Sequence, residues 1–504
     1  MSKSVAVEKA LTRFHEQARL RAAYRHATMI LQYDADTTMP VAGASILGDT
    51  MGVLAEKTYE ALVNDDTRET LAVLLAAKDE VPRHIYREAE ELQRKINKIS
   101  VVPAKEYGDY ERAVTHATHV WRQAKLAADF NMFAPYLQAV VDYAARFAKY
   151  YDSSRPVYDV LLEDYEQGMT MAKLDDFFGV VRQELTPLIA RIAKAPQPDT
   201  AFLNCSYPLP QQEQLAHYLM NILCLPRDRC AIGTTEHPFT AGANNHDVRI
   251  TTHYYEQDRL SGMFTVIHEG GHALYMLHMA DELNGTLLAK GASSGIHESQ
   301  SRFFENFIGR SEPFLRFILP KLQELFPAQL KGVTAEQFYH AANRSQPSLI
   351  RIHADELTYP LHILIRYELE KQLFAGEIAV ADLPQKWNEL YQTYLGITPP
   401  DDGQGVLQDV HWSNSYFGYF PTYALGSAYA AQFLAAMEHD IDVSGTVAVG
   451  DLHPVIDWLK DRLFCFGGVK LPEELLIDIT GKPFAPHCYT DYLKHKYSAL
   501  YGLD

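Results

Sequence analysis

The chain has 504 residues, 47% hydrophobic and 11% aromatic, with a formal net charge of -18 and a mean hydropathy of -0.20. That is ample apolar material for a large core, and five irregularly spaced cysteines argue against a disulfide framework. The acidic balance, with no Lys/Arg cluster, argues against nucleic acid, and no stretch offers the roughly 20 uninterrupted apolar residues of a membrane span.

In chain order, the first pattern is an amphipathic helix from Val5 to about Met29, charged throughout and without an apolar signal core, so a soluble, cytoplasmic protein is expected. The stretch "YDADTTMP" (Tyr33 to Pro40) reads as a turn. Helical patterns follow at 51–79, 83–99, 103–127, 130–150 and 171–195, and Pro196 and Pro198 close this block. From Cys230 to Tyr255 the helical period is lost; alternating β-branched residues and the turn residues of "AGANN" predict a small β-hairpin or ribbon. Helices resume near Arg259 and run to about Leu395, broken at Gly291–Gly295, and a second irregular stretch, "GITPPDDGQGVLQDVHWSNSYFGYFPTY", precedes a final helical block. The expectation is one mostly α domain over 1–504: an N-terminal helical lobe of about 1–198, a metal-binding core of about 230–430 and C-terminal helices from about 431 to 504.

Within the resumed helix lies His268-Glu269-Gly270-Gly271-His272, an HExxH motif. Residues four apart share a helix face with Cβ atoms about 6 Å apart, so both imidazoles can converge on one Zn²⁺. Glu269 is turned about 100° from His268, placing its carboxylate beside the metal. Gly270 and Gly271 each cost a helix interior about 1 kcal/mol relative to Ala, which is explicable if another backbone or a third ligand must come close. The candidate third ligand is Glu298 in "GIHESQSRFFEN", just inside a new helix that Ser293 or Ser294 would cap. His297 points elsewhere and is expected to pack or to support a ligand from behind. A His₂Glu set with an open position is the donor set of metal-assisted peptide hydrolysis, and it would also accept Co²⁺ or Mn²⁺.

The sequence resembles the Taq-type zinc metallocarboxypeptidases. The resemblance is carried by "HPF" (His237–Phe239), "DVRITT" (Asp247–Thr252), "HEGGH", "HESQ" (His297–Gln300), "IRIHADELTY" (Ile350–Tyr359), "GVLQDVHW" (Gly405–Trp412) and "FGYFPTYALG" (Phe417–Gly426), in the family's order. "DADTTMP" is similar to the family's N-terminal signature, with Tyr33 where many members carry Trp. The resemblance implies a helical, two-lobed saddle- or clamshell-like fold, a deep groove with zinc at its floor, and a homodimer. It also implies release of single C-terminal amino acids from peptides, with His268, His272 and Glu298 as metal ligands and Glu269 as the catalytic glutamate.

Beyond the metal, a tetrahedral oxyanion needs further donors, for which His411 and Tyr423 are the candidates; each could equally be a structural group. A free C-terminal carboxylate calls for Arg, with Arg351 first and Arg249 second, although Asp247 could pair Arg249 across one strand face. Asp355 or Asp409 would orient a ligand histidine. The ribbon carrying His237 could lend an edge to an extended peptide. Two rivals share the features: a helical zinc oligopeptidase or dipeptidyl carboxypeptidase, and a non-catalytic peptide-binding protein with a structural zinc.

Overall fold

The computed structural model describes residues 4–257 and 261–503. Several helices start where a side chain caps them: Asn64, Asp129, Thr170, Ser293 and Ser311 each accept a first-turn backbone N–H. The helices expected at 83–99, 103–127, 130–150 and 171–195 stand at Arg83–Val101, Ala104–Ala127, Phe130–Tyr151 and Met171–Ile192. The one expected at 51–79 is two, Ala44–Leu62 and Asp65–Ala76, because Asn64 takes an extended conformation to cap the second.

The turn expected over Tyr33–Pro40 is confined to its end: the first helix runs from Val5 to Thr37, and the chain turns only from Thr38. Thr37 donates its hydroxyl back to the Tyr33 carbonyl (2.6 Å), and the Tyr33 ring packs edge-on against Phe239 (6.0 Å between centroids) and beneath the Arg249 guanidinium (5.1 Å). This packing outweighs the turn preference of Asp and Thr. Arg259 lies outside the described residues; the following helix is described from Ser261.

The expected ribbon is a three-stranded sheet of β1 (Cys230–Thr234), β2 (Thr240–Asn244) and β3 (Asp247–Thr252). Its order is β1-β3-β2, with β3 antiparallel to β2 and parallel to β1. The "DVRITT" strand is therefore central, both of its edges are paired, and it cannot lend an edge to a peptide. Ala231 and Ala241 flank Arg249, whereas Val248 and Ile250 point to the other face and are fully buried. β2 and β3 lie against the helix Ser261–Leu277, which carries the HExxH motif and is here called the motif helix.

Two hydrophobic cores form. The larger takes in the motif helix through Val266, Ile267, Ala273 and Leu274 and extends through the later helices. The smaller joins the helices Val5–Thr37, Asp65–Ala76 and Arg83–Val101 through Phe14, Leu71, Leu74, Ala89 and Leu92. All five cysteines are unpaired. Among the described residues no helix is long and apolar enough to cross a membrane.

Candidate metal centre

The two glycines of the motif helix meet different neighbours. A Cβ on Gly271 would stand 2.8 Å from Ser301 Cα and 2.9 Å from the Gln300 carbonyl carbon, so this glycine admits the backbone of a second helix. A Cβ on Gly270 would meet side-chain tips instead, at 2.6 Å from Leu223 Cδ1 and 3.6 Å from Leu225 Cδ1. The second helix is Ser294–Arg302, the glutamate helix, whose cap is Ser293, accepting from Ile296 N at 2.9 Å. Behind it the helix Pro421–Met437 approaches closely at Gly426, where a Cβ would lie 2.7 Å from Glu298 Cγ.

This close packing brings His268, His272 and Glu298 together. Glu298 Oε2 lies 3.4 Å from His272 Nε2 and 3.9 Å from His268 Nε2. Three donors each about 2.0–2.1 Å from a tetrahedral ion stand about 3.3 Å apart, so the set fits a metal with small adjustment. Glu298 Oε1 is occupied by Arg302 Nε (2.8 Å), while Oε2, which also accepts the Ser301 hydroxyl at 3.1 Å, faces the two histidines. Burial opposes ionisation of Glu298, yet Arg302 and the two imidazoles hold its carboxyl well below the usual range.

The faces of the histidines turned from the site are also engaged, which leaves both Nε2 atoms available. His268 Nδ1 donates to Glu305 Oε2 at 2.9 Å. His272 Nδ1 lies 2.7 Å from His297 Nδ1. Burial, reinforced by His272, pushes the His297 pKa down to about 3, so His297 is neutral and accepts the His272 proton. One ligand is thus backed by a carboxylate and the other by an uncharged imidazole. Asp355 and Asp409 do not fill the role expected of them. Asp355 takes the Ser345 and Thr358 hydroxyls in a buried turn, and Asp409 pairs with arginines.

Glu305 and Arg302 escape a reading by motif, although Glu298, Arg302 and Glu305 recur at intervals of four and three, the signature of one helix face. After Arg302 the backbone widens into a π-helical stretch, Phe303–Gly309, of the kind often found at functional sites. Arg302 bridges Glu298 and Glu305 (Nη1 to Oε2, 3.3 Å) and donates to Tyr359 OH (3.2 Å).

Glu269 is buried, and its Oε2 accepts the Thr240 hydroxyl at 2.6 Å. Tyr359 OH, which takes Arg302, also takes Arg351 Nη1 at 3.2 Å. Arg351 and Arg366 share Asp409, with Nη2 distances of 2.8 and 2.6 Å, so two cations face one anion. The Arg351 guanidinium lies 4.9 Å from the Tyr423 ring centroid, and Tyr423 OH lies 3.1 Å from His411 Nε2. Burial drives the His411 pKa down to about 3, Asp409 opposing and Arg351 and Arg366 adding to the fall. Its Nδ1 is buried with no partner among the described residues. Arg351, His411 and Tyr423 thus form one connected group, joined to the metal trio through Tyr359 and Arg302.

The other two candidates lie elsewhere. Arg249 is tied to Asp247 by two hydrogen bonds (2.9 and 3.0 Å) on the sheet face that carries Tyr33. His237 is exposed on the turn before β2.

Residues 13–497 match the family model described as "Carboxypeptidase Taq (M32) metallopeptidase". The chain belongs to this M32 family. It is 39% identical over 482 residues to carboxypeptidase 1 of Bacillus subtilis, covering 95% of this chain and 96% of that protein. Thermostable carboxypeptidase 1 of Pyrococcus furiosus is 33% identical, with 94% and 96% covered. The solved M32 carboxypeptidase of Deinococcus radiodurans matches with a TM-score of 0.94 at 32% identity, over 98% of this chain and 100% of that one. The chain is thus an M32 metallocarboxypeptidase, a hydrolase that acts on peptides and uses a metal. A cavity of about 310 Å³ adjoins its His/Glu trio, reached by His272, Glu298 and Tyr419 on one side and by Arg87 and Arg94 on the other.

Proposed function

We propose that this M32 enzyme is a zinc-dependent carboxypeptidase that removes single amino acids from peptide C-termini. The observation that carries the reading is the trio His268, His272 and Glu298, with the second Glu298 oxygen taken by Arg302 and no fourth ligand in the cluster among the described residues. A closed structural site would have four protein ligands. A zinc ion held there would supply Lewis acidity to a water and to the scissile carbonyl, and Co²⁺ or Mn²⁺ suits the same donors.

Glu269 takes the proton of the attacking water and passes it to the leaving amine. The Thr240 hydroxyl on Oε2 leaves Oε1 for that exchange. Tyr423, a protonated phenol, donates to the oxyanion; His411 Nε2–H, donating to the phenol oxygen, turns the phenolic proton outward. Arg351 anchors the substrate carboxylate, since its pairing with Asp409 is shared with Arg366 and leaves a net positive charge. Arg249, already held twice by Asp247, is the weaker candidate. The outer strand β2, which begins beside Glu269 at Thr240, is the edge offered to an extended peptide, and His237 flanks it. We also propose a homodimer: the helix Ala44–Leu62 has no buried residue and exposes Ile46, Val53 and Tyr59.

Mass spectrometry of a defined peptide, with protein treated with chelator and then reloaded with zinc, tests this. A ladder shortened by one residue at a time and abolished by chelation is expected. Dipeptide loss or internal cuts would make the enzyme an oligopeptidase, and no cleavage by metal-loaded protein would make the zinc structural. Glu269→Gln should keep its metal and lose turnover.

A further inference from the structure

Glu370, on the helix Tyr359–Ala375, is completely buried and makes no ion pair among the described residues. Instead its carboxylate accepts three neutral donors: Trp412 Nε1 on Oε1 (2.7 Å), and Tyr158 OH (2.7 Å) and Gly418 N (2.9 Å) on Oε2. Burying a carboxylate without a directly paired cation is costly, and here burial raises the pKa to about 7 against the opposing pull of its hydrogen bonds and of Arg366.

The placement of the donors gives that cost a purpose. Trp412 directly follows His411. Gly418 directly precedes Tyr419, whose ring lies 5.2 Å from that of Tyr423 and 5.7 Å from that of His411. A single 3-10 turn, His411–Asn414, carries the first donor and is closed by Tyr416 N on the His411 carbonyl (3.0 Å). Beyond it the chain bends at Ser415 and at Gly418, both at positive φ (60° and 84°), and Glu370 ties the end of this bend back to the turn. From the opposite side it is held by Thr118, whose hydroxyl donates to Asn414 Oδ1 at 2.8 Å.

We infer that Glu370 is a positioning residue: by gripping Trp412 and Gly418 it fixes His411 against Tyr423. The inference rests on the proposal that this pair stabilises the oxyanion. It extends the working site to a carboxylate that touches neither substrate nor metal.

The test is a double-mutant cycle of Glu370→Gln with Tyr423→Phe on the metal-loaded enzyme. Glutamine keeps the shape but sets an NH₂ group against the Gly418 or Trp412 N–H. Alone it should lower kcat by about 10- to 100-fold, with KM changed less than about threefold and metal content unchanged. In the Tyr423→Phe background it should lower kcat by less than about twofold. A full, independent loss in that background, or a folded Glu370→Gln with normal kcat, would overturn the inference. If Tyr423→Phe alone has no effect, the oxyanion reading fails instead. Should Glu370→Gln not fold, Trp412→Phe, which removes one of the gripped donors, is read by the same criteria.

Discussion

Replacing Gly271 by alanine tests how closely the metal site depends on contact between two helices. A Cβ there would meet Ser301 Cα at 2.8 Å and the Gln300 carbonyl carbon at 2.9 Å, both rigid backbone atoms. Restoring ordinary contact, about 3.4 Å, requires the motif and glutamate helices to part by about 0.6 Å or more, which exceeds the roughly 0.2 Å tolerance of metal–ligand distances. Overpacking of this kind costs about 1–3 kcal/mol, against about 1 kcal/mol gained in helix propensity. Metal-free Gly271→Ala should therefore lose about 0–2 kcal/mol in stability, and its zinc affinity should fall by about 5- to 150-fold as the strain is met on closing the site. Gly270→Ala, whose one tight contact is the movable tip of Leu223, should sit within about 1 kcal/mol of wild type and bind zinc normally. Denaturation of chelated protein and competition with a chromogenic chelator measure the two quantities. Equal zinc affinity in both variants would refute the idea that Gly271 is there for backbone approach.

Three further outcomes follow from the site. Glu305→Gln removes the anion behind His268 and should weaken metal binding by about 10- to 100-fold by chelator competition, whereas a change below twofold would show that Glu305 does not tune the ligand. Arg351→Lys should raise KM at least about tenfold for peptides with a free C-terminus but little for amidated ones; equal effects on both would dissociate Arg351 from the carboxylate. Glu166, buried beneath the glutamate helix and accepting Gly295 N at 3.0 Å, has its pKa raised by burial from 4.5 to about 7. The folded state holds this proton more tightly than the unfolded chain, so the stabilisation is full below about pH 4.5 and is lost as pH rises through about 7. The stability of wild type relative to Glu166→Gln should thus fall from pH 5 to pH 8 by up to a few kcal/mol, and a rise over that range would contradict the assignment.

What the sequence disclosed depended on how local the signal was. The motif helix, the Ser293 cap and Glu298 follow from spacing and capping chemistry within a few residues. The β1–β3 pairing is parallel and leaves no turn to read, so the sequence there reads only as a hairpin or ribbon. Tyr33–Thr37 has turn composition but is held helical by contacts to the sheet and its connections more than 190 residues away, with Phe239 and Arg249 on Tyr33 and Thr235 donating to the Asp36 carbonyl. Asp409 sits in a motif and reads, like Asp355, as one of two candidates to orient a ligand histidine, but a carboxylate between two arginines is invisible until Arg351 and Arg366 are brought together by folding. Glu370 carries no local signature at all.

The two cores divide the cavity between them. Its floor, with His272 and Glu298, belongs to elements of the larger core, whereas Arg87 and Arg94 project from a helix of the smaller one. Polar links cross the seam, such as Lys290 to Glu91 (2.9 Å) and Leu287 N to Glu88 (2.9 Å), beside the Leu287 side chain, which packs against the smaller core. His268, His272 and Glu298 all stand on elements of the larger core, so a tilt of the smaller core as a unit would change the width of the chamber without changing the distances from Glu298 to the two histidines.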